Sequence, residues 1–292
     1  MFRSTPCPLD DRHGLRLSGG AGRSSFRRYK GENAMHRRSI FPFLAGTALL
    51  LAAAAPAVVP AKPPAYLESA ISAPGRPADA VALDAGRKPA EVLAFLGLKP
   101  GMAAADVMTG SGYWAEIMAN AVGPRGKVTA FEPAQFYNDP EEQKVWKALT
   151  ARRSDIDFVR YPFEAFTAGD RRFDAVMINL NYHDLYWESA KYGIPRTDPH
   201  AFLRQLYAAV KPGGVVGVID HAGPAGDTRA IVDKLHRIDP AVVKADFAAA
   251  GFTLEAESPL LANPADDHEK LVFDPAVRGK TDRFLYRFRK PR

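Results

Sequence analysis

Short apolar runs and segments of helical period take turns along most of this chain. The apolar runs predict strands at residues 102–108, 127–131, 156–159, 173–180, 215–219, 252–257 and 283–289. Apolar residues that recur every three to four positions predict helices at residues 89–96, 113–121, 140–152 and 199–210. This alternation indicates an α/β fold, with a mostly parallel, doubly wound sheet that carries helices on both faces. No helix is expected between the last two strands, so we predict that they form an antiparallel pair at the sheet edge.

The first 61 residues have a different character. A basic tripeptide follows Met35, an apolar run occupies residues 40–51, and small residues continue to Ala61, which is the pattern of a secretory signal peptide cleaved after Ala57 or Ala61. The alternative is an uncleaved membrane anchor, because residues 39–61 carry no charge. The preferred division is an over-extended N-terminus at 1–34, a signal peptide at 35–61, a lead-in at 62–88 and one domain at 89–292.

Charge and cysteine content remove two classes of function. The net charge is +6, from 39 basic and 33 acidic residues. Residues 1–61 hold nine of the basic and three of the acidic residues, which leaves thirty of each (39 minus 9, 33 minus 3) in the remainder. That balance gives no reason to expect nucleic-acid binding, which needs a local excess of positive charge. Cys7 is the sole cysteine, so the domain has no disulfide and no cysteine chemistry.

A glycine turn follows the first strand of the domain. Gly110 and Gly112 stand between that strand and the next helix, where the backbone must turn sharply near a ligand, and Glu132 ends the second strand, where a carboxylate can accept ribose hydroxyls. The residues 110–115, GSGYWA, also satisfy the dinucleotide-binding pattern, and the glycines could serve packing alone. Asp106 favours a ligand with an ammonium group, because a pyrophosphate would be repelled.

The motifs resemble those of the class I S-adenosylmethionine-dependent methyltransferases over residues 89–292. DVMTGSG is similar to their first motif, FEP to the ribose-binding acid, FDAVMINLNYHDL to the fourth strand with its active-site loop, and VKPGGVVGVID to the segment that enters the fifth strand. The leader and the segment from Asn263 onward look most like an uncharacterised group of exported bacterial methyltransferase-like proteins. The resemblance implies a Rossmann-like domain and S-adenosylmethionine as cofactor.

The resemblance also implies a set of cofactor-binding residues, with two departures from the family pattern. Met108 stands where the family usually has glycine, and Pro162 stands where an acid or amide often binds the adenine, so Glu164 would have to take over that contact. The residues expected to bind the cofactor are Asp106, Gly110, Gly112, Glu132, Glu164, Asn179 and Asn181.

Reactive side chains follow the fourth and fifth strands, whose carboxyl ends face the same crevice. Methyl transfer to oxygen or nitrogen needs a deprotonated nucleophile, and a neutral imidazole suits that task. We expect His183 to be the base, with His221 as the next candidate and Asp184 beside them. A metal site from His183, Asp184, Asp220, His221 and His268 is an alternative, but no pair has diagnostic spacing and sequence neighbours usually diverge, so no metal is expected.

The sequence therefore predicts an exported, periplasmic or secreted methyltransferase that acts on a small acceptor, aromatic or lipid-like. Aromatic residues in and after the glycine turn and in the long segment 184–200 would supply a platform for such an acceptor and cover it. No nucleic acid and no membrane span after cleavage are expected. A catalytically silent binding protein of the same fold and a nicotinamide-dependent oxidoreductase remain as alternatives.

Overall fold

The computed structural model describes residues 62–292, so the predicted signal peptide and the predicted over-extension lie outside the described residues. Seven strands form one sheet. They are β1 (Ala103–Val107), β2 (Lys127–Pro133), β3 (Ile156–Tyr161), β4 (Phe173–Asn179), β5 (Val210–His221), β6 (Thr253–Ser258) and β7 (Arg283–Arg289).

The α-helices of the described segment occur before, between and after the parallel strands. They are α1 (Ala65–Ile71), α2 (Ala78–Ala82), α3 (Asp84–Arg87), α4 (Pro89–Leu96), α5 (Tyr113–Val122), α6 (Pro140–Arg152), α7 (Pro199–Ala209), α8 (Thr228–Leu235) and α9 (Pro240–Ala249). Two short 3₁₀ turns, Phe163–Ala165 and Tyr182–Tyr186, follow β3 and β4.

The strand order is β3-β2-β1-β4-β5-β7-β6. The first five strands are parallel to one another, whereas β7 pairs antiparallel with both β5 and β6. The predicted mostly parallel, doubly wound sheet with an antiparallel C-terminal pair at its edge is confirmed. Because chain order reverses between β1 and β4, the carboxyl ends of these two strands flank a crevice of the kind in which such sheets bind ligands.

Helices α1, α4 and α5 pack over one face of the sheet in a single apolar cluster, to which Leu67, Leu96 and Ile117 contribute fully or almost fully buried side chains. Leu67 lies in the predicted lead-in, so α1 is part of the core of the domain. Helices α7 and α9 contact each other and pack against β5 and β6 respectively. The ring of Phe247 in α9 stacks on that of Phe288 in β7, with centroids 4.1 Å apart.

Several helices, among them the two between β5 and β6, and part of a strand were not expected from the sequence. Asp227 caps α8 by accepting hydrogen bonds from the amides of Arg229 and Ala230, and Asp239 caps α9 in the same way through Ala241. Strand β5 begins at Val210 rather than 215, because Val210 pairs with Phe173 directly after α7 and a register shift absorbs the glycine turn. Gly213, with φ of 78°, permits that shift.

No helix within residues 62–292 is both long and apolar enough to cross a membrane.

A buried arginine ties the long segment before β7 to the rest of the domain. Arg237 is completely buried and donates two hydrogen bonds of 2.8 and 3.0 Å to Asp266, and two further bonds to the carbonyls of Ala222 and Lys270. The bidentate geometry and the extra carbonyl partners satisfy a cation that would otherwise be unstable away from water.

We predict that Asp266→Ala destabilises the protein by about 3–5 kcal/mol, because the variant leaves a buried guanidinium without its counter-charge. Urea unfolding of the purified protein measures this. Asp267→Ala is the matched control: its carboxylate is exposed and pairs with Lys270, so little or no loss of stability is expected. Equal losses in the two variants would contradict this account of the buried pair.

Candidate active site

The turn after β1 holds a strained residue. Met108 has φ of 56° and is buried, a left-handed conformation that glycine adopts at much lower cost. This explains structurally why the related motif has glycine at this position: the fold keeps the left-handed turn even when a larger side chain occupies it.

The two glycines of the turn have different surroundings. A side chain at Gly112 would come within 2.5 Å of Leu149 and 3.1 Å of Trp146, so this glycine permits α6 to pack on the turn. A side chain at Gly110 would meet nothing within 4 Å, and Trp146 holds the turn by donating to the Gly110 carbonyl at 2.6 Å. Gly110 therefore faces open space beside the backbone, as a ligand-binding turn requires.

Glu132 lies next to that turn because β1 and β2 are neighbouring parallel strands. Its Oε2 accepts a hydrogen bond of 2.9 Å from the Gly110 amide, and its side chain is almost completely buried. Burial and then the charge of Glu142 raise its pKa well above the usual range, although the Gly110 bond acts in the opposite direction. The predicted partnership of Gly110 and Glu132 is thus a direct contact, and the site favours a ligand that donates hydrogen bonds or carries positive charge.

Asp106 lies near the end of β1, just before the glycine turn. Its Oδ2 accepts hydrogen bonds from Thr109 Oγ1 at 2.5 Å and from the Ala115 amide at 3.0 Å. Burial raises its pKa to about 7 against the lowering effect of both bonds. The carboxylate expected to receive a ligand ammonium therefore also fixes the turn to the start of α5.

Tyr161 adds a polar group that the sequence reasoning missed. It ends β3, and its buried hydroxyl has no hydrogen-bond partner among the described residues. Burial first, and then the charges of Glu132 and Asp184, raise its pKa well above normal. A tyrosine at the carboxyl end of a parallel strand was the available signal.

Glu164 does not join this group. Its side chain is exposed and accepts a hydrogen bond of 3.0 Å from Gln135, whose Oε1 in turn accepts from the Phe163 amide at 2.9 Å. Gln135 thus connects the ends of β2 and β3, and Glu164 stays at the rim of the crevice.

The residues after β4 turn inward. Asn179 ends the strand half-buried, Leu180 adopts a left-handed φ of 60°, and Asn181 donates to Asp184 Oδ2 at 3.3 Å. The last contact shows that Asn181 orients Asp184, which is almost completely buried.

His183 lies between two carboxylates. Its Nδ1 is 2.8 Å from Asp220 Oδ1, and its Nε2 is 3.4 Å from Asp184 Oδ1. Burial lowers its pKa, but the charges of Asp220 and Asp184 and the bond to Asp220 more than offset that and raise it to about 9. The raised pKa runs against the expectation of a neutral imidazole at His183, which stays a prediction, because the two acids stabilise the charged ring.

His221 has the opposite character. Burial first, and then the positive charge on His183, lower its pKa well below normal. Its Nδ1 is 2.7 Å from the Thr281 hydroxyl, which orients the ring at the carboxyl end of β5. Of the two histidines considered as bases, His221 is the neutral one.

The carboxylate and imidazole groups that lie together in the structure are not the five residues considered above as an alternative metal site. His183 and Asp184 converge instead of diverging, and His236, which sequence reasoning missed, joins them. Asp220 binds His183 from the other side, while His268 is paired with Asp282 at 2.9 Å in another loop.

The expected aromatic platform is largely part of the core. Tyr182 and Tyr186 both donate to Asp246, at 2.8 and 2.5 Å, and Trp114 is almost fully buried. Arg229 holds the long segment after β4 by donating to the carbonyls of Tyr186 and Thr197. These rings pack the segment against the domain, because a long loop needs buried anchors to keep one conformation.

Part of this chain is similar to known proteins. Residues 70–152, which include the glycine turn and Glu132, match the family model described as protein-L-isoaspartate(D-aspartate) O-methyltransferase. The match supports the class I S-adenosylmethionine-dependent methyltransferase superfamily for this chain. The predicted resemblance and its cofactor, S-adenosylmethionine, are confirmed at the level of the superfamily, in preference to the nicotinamide alternative.

The sequence relatives and the structural relatives are distant. The chain is 28% identical over 137 residues to a demethylmenaquinone methyltransferase of Bacillus cytotoxicus, covering 46% of this chain and 51% of the relative. It is 26% identical over 133 residues to the enzyme of the same name from Staphylococcus aureus, covering 46% and 48%. It thus spans about half the length of the curated relatives it matches.

Among solved structures, a putative sarcosine dimethylglycine methyltransferase of Galdieria sulphuraria is similar in fold. Its TM-score is 0.50 at 15% identity, and the match covers 72% of this chain and 87% of that chain. This likeness supports the superfamily fold.

We predict that Asp106 makes stability depend on pH. An ordinary Asp in the unfolded chain titrates near pH 4, whereas Asp106 in the fold titrates near 7. Between these values the unfolded state loses the proton and the folded state keeps it, so stability falls as pH rises from about 4 to about 7.

Asp106→Asn keeps an acceptor for Thr109 and Ala115 and removes the titration. Its free energy of unfolding, relative to the natural chain, should improve by about 2–3 kcal/mol between pH 5 and pH 8, measured by urea unfolding at both pH values. Asp170→Asn, at an exposed position, is the control for loss of a carboxylate. A pH-independent difference between Asp106→Asn and the natural chain would refute the assignment.

Proposed function

We propose that this protein transfers the methyl group of S-adenosylmethionine to an oxygen or nitrogen nucleophile of a small molecule. The observation that carries the proposal is the contact between Glu132 and the Gly110 amide beside open space, at the carboxyl ends of two neighbouring parallel strands. That arrangement suits a ligand with ribose hydroxyls and a positive group.

The residues present fit this cofactor, which when bound supplies an electrophilic methyl group on a positively charged sulfur. Gly110 leaves room for a ligand against the turn, and the buried hydroxyl of Tyr161 at the end of β3 has no hydrogen-bond partner among the described residues. Glu132 would accept the ribose hydroxyls, and Asp106 would face the amino group. Both carboxyls have raised pKa values, so a cation in the crevice would be stabilised by their ionisation.

His221 is the candidate base. It is neutral at physiological pH because burial and nearby cations disfavour its protonated form, and Thr281 fixes its ring. A positioned base typically contributes about 10²–10⁴-fold to such a step, whereas alignment of the reactants contributes roughly 7–11 kcal/mol. Positioning of the reactants by the crevice is therefore the larger effect, and proton removal by His221 is the smaller one.

Export is part of the proposal. The support is the pattern of residues 35–61, a basic start, an apolar run and a small-residue end. A small acceptor outside the cytosol, with aromatic or lipid-like character, agrees with that location.

The test is calorimetric titration of the full chain with S-adenosylhomocysteine. We expect binding in the natural chain and roughly 10–100-fold weaker binding in Glu132→Gln, because hydrogen bonds to a charged group typically contribute about 1.5–3 kcal/mol. The substituted amide oxygen can still accept from Gly110, so the turn is retained. Glu141→Gln, at an exposed position in α6, should bind like the natural chain.

Absence of binding to the folded natural chain would overturn the proposal in favour of a silent binding protein. Binding that is unchanged in Glu132→Gln would remove Glu132 from the site.

A second prediction concerns pH. S-adenosylmethionine and S-adenosylhomocysteine both carry the amino group that Asp106 would face, so binding of either ligand should draw on the ionised form of Asp106. With a pKa of about 7, affinity for S-adenosylmethionine should rise roughly tenfold between pH 6 and pH 8. The same titration with Asp106→Asn should show a much smaller rise. A rise in affinity that is as large in Asp106→Asn as in the natural chain would contradict a charge-based role of Asp106.

A further inference from the structure

Three buried side chains converge at the end of β4 without a role in the proposed binding of the cofactor. They are His183, Asp184 and His236, each at most 5% exposed. One ligand atom from each lies within 4.8 Å of the others. Asp184 Oδ1 is at the centre, 3.4 Å from His183 Nε2 and 3.8 Å from His236 Nδ1.

The fold brings these residues together from two distant parts of the sequence. His183 and Asp184 share the 3₁₀ turn Tyr182–Tyr186, which packs against α8. His236 follows α8 directly with a left-handed φ of 49°, which ends the helix and returns the chain to β5. The amide of Ile238 then donates to the carbonyl of His221, so the backbone on both sides of His236 is fixed.

Asp220 orients the first imidazole. Its Oδ1 accepts from His183 Nδ1 at 2.8 Å and its Oδ2 accepts from the His183 amide at 2.8 Å. Asp220 therefore holds Nδ1 as a donor and Nε2 faces Asp184, where binding of a metal ion would release the Nε2 proton. A carboxylate behind a histidine, with the other ring nitrogen facing a shared centre, is the arrangement that surrounds metal-binding histidines in proteins.

The carboxylate at the centre has an unusual environment. Asn181 satisfies Asp184 Oδ2, but the buried Oδ1 accepts no hydrogen bond of good geometry from the described residues. The two imidazole nitrogens face this oxygen at 3.4 and 3.8 Å, so a cation among the three groups would contact all of them at shorter range. The rings of Trp187 and Phe273 pack around His236, each 5.3 Å from it, and keep the group in place.

We propose that His183, Asp184 and His236 bind one divalent transition-metal ion of the Zn²⁺ class. Two imidazoles and one carboxylate form a ligand set that zinc and its neighbours accept. Bonds of about 2.0–2.2 Å to a tetrahedral centre separate ligand atoms by roughly 3.3–3.6 Å, close to the 3.4 and 3.8 Å observed here. Three protein ligands leave one position for water or another oxygen ligand.

His183 and Asp184 follow β4, which neighbours β1 in the sheet. The ion would therefore lie at the same carboxyl edge of the sheet as the proposed methyl-transfer site. An acceptor hydroxyl in the open position would ionise more readily. This consequence rests on the proposed function, whereas the metal site itself does not.

The experiment uses the full chain after treatment with a chelator and dialysis, and Co²⁺ as the probe. Co²⁺ bound to nitrogen and oxygen ligands in a low-symmetry site absorbs visible light, so titration gives both stoichiometry and affinity, and Zn²⁺ should displace the signal. We expect one Co²⁺ per chain. Zn²⁺ at about one hundred times its Kd should raise the Tm by roughly 5–10 °C.

Two matched variants identify the site. His236→Asn removes an imidazole at a left-handed position that asparagine tolerates, and it should abolish the absorption band and the Zn²⁺-dependent rise in Tm. His268→Asn is the control, because His268 is also a histidine with positive φ, 63°, but pairs with Asp282 outside the cluster. It should bind like the natural chain. Asp184→Asn, nearly identical in shape, should weaken binding even if His236→Asn folds poorly.

A band of equal strength in His236→Asn and Asp184→Asn, or none in the natural chain, would overturn the proposal. Titration of the natural chain with S-adenosylhomocysteine in the presence of chelator separates the two proposals. Cofactor binding without Co²⁺ binding would refute the metal site alone, and the reverse result would refute methyl transfer alone.

Discussion

The carboxylate of Asp220 is the constraint on which the reactive end of this domain depends. It is completely buried at the end of β5 and accepts three hydrogen bonds: two come from the ring and the amide of His183, and one comes from the amide of His221. These bonds join the turn after β4 to the end of β5. An ionised carboxylate at this depth requires such partners, so the position of His183 and the stability of Asp220 support each other.

Buried acids continue along the carboxyl edge of the sheet. Asp106, Glu132, Asp184 and Asp220 each lie at the end of a strand or in the turn after it, and each is at most 5% exposed. Burial dominates at Asp106 and Glu132, whereas imidazole partners lower the pKa of Asp184 despite its burial. This edge therefore prefers positive charge, which agrees with a sulfonium cofactor at one end and with the proposed metal ion at the other.

Much of the fold could be predicted because the apolar periodicity of β1–β4, β6 and β7 and of helices α4–α7 is strong and local. Helix α9 was missed, although Asp239 and Pro240 begin it as Asp139 and Pro140 begin α6. The dipeptide is not sufficient, because Asp274 and Pro275 begin only a turn. What differs is the apolar face that follows, with Val243 and Phe247 buried in α9.

The candidate site was less predictable than the fold, because most of its contacts join residues that are distant in the sequence. The contact of Gly110 with Glu132 follows from two adjacent strands, so spacing was enough to anticipate it. The protonated state of His183 depends on two buried acids, and the placement of His236 depends on how α8 ends and packs on the turn after β4. Neither has a local sequence signature.

The position of β7 has a consequence for how the chain reaches its native state. This strand is the last of the sheet in chain order, yet it lies between β5 and β6. During synthesis, β5 keeps an unpaired edge and β6 has no neighbour until residues 283–289 have left the ribosome. Such an open edge is a template for pairing with another chain. The nascent protein is therefore exposed to misassembly until its final strand arrives, and that step closes the sheet.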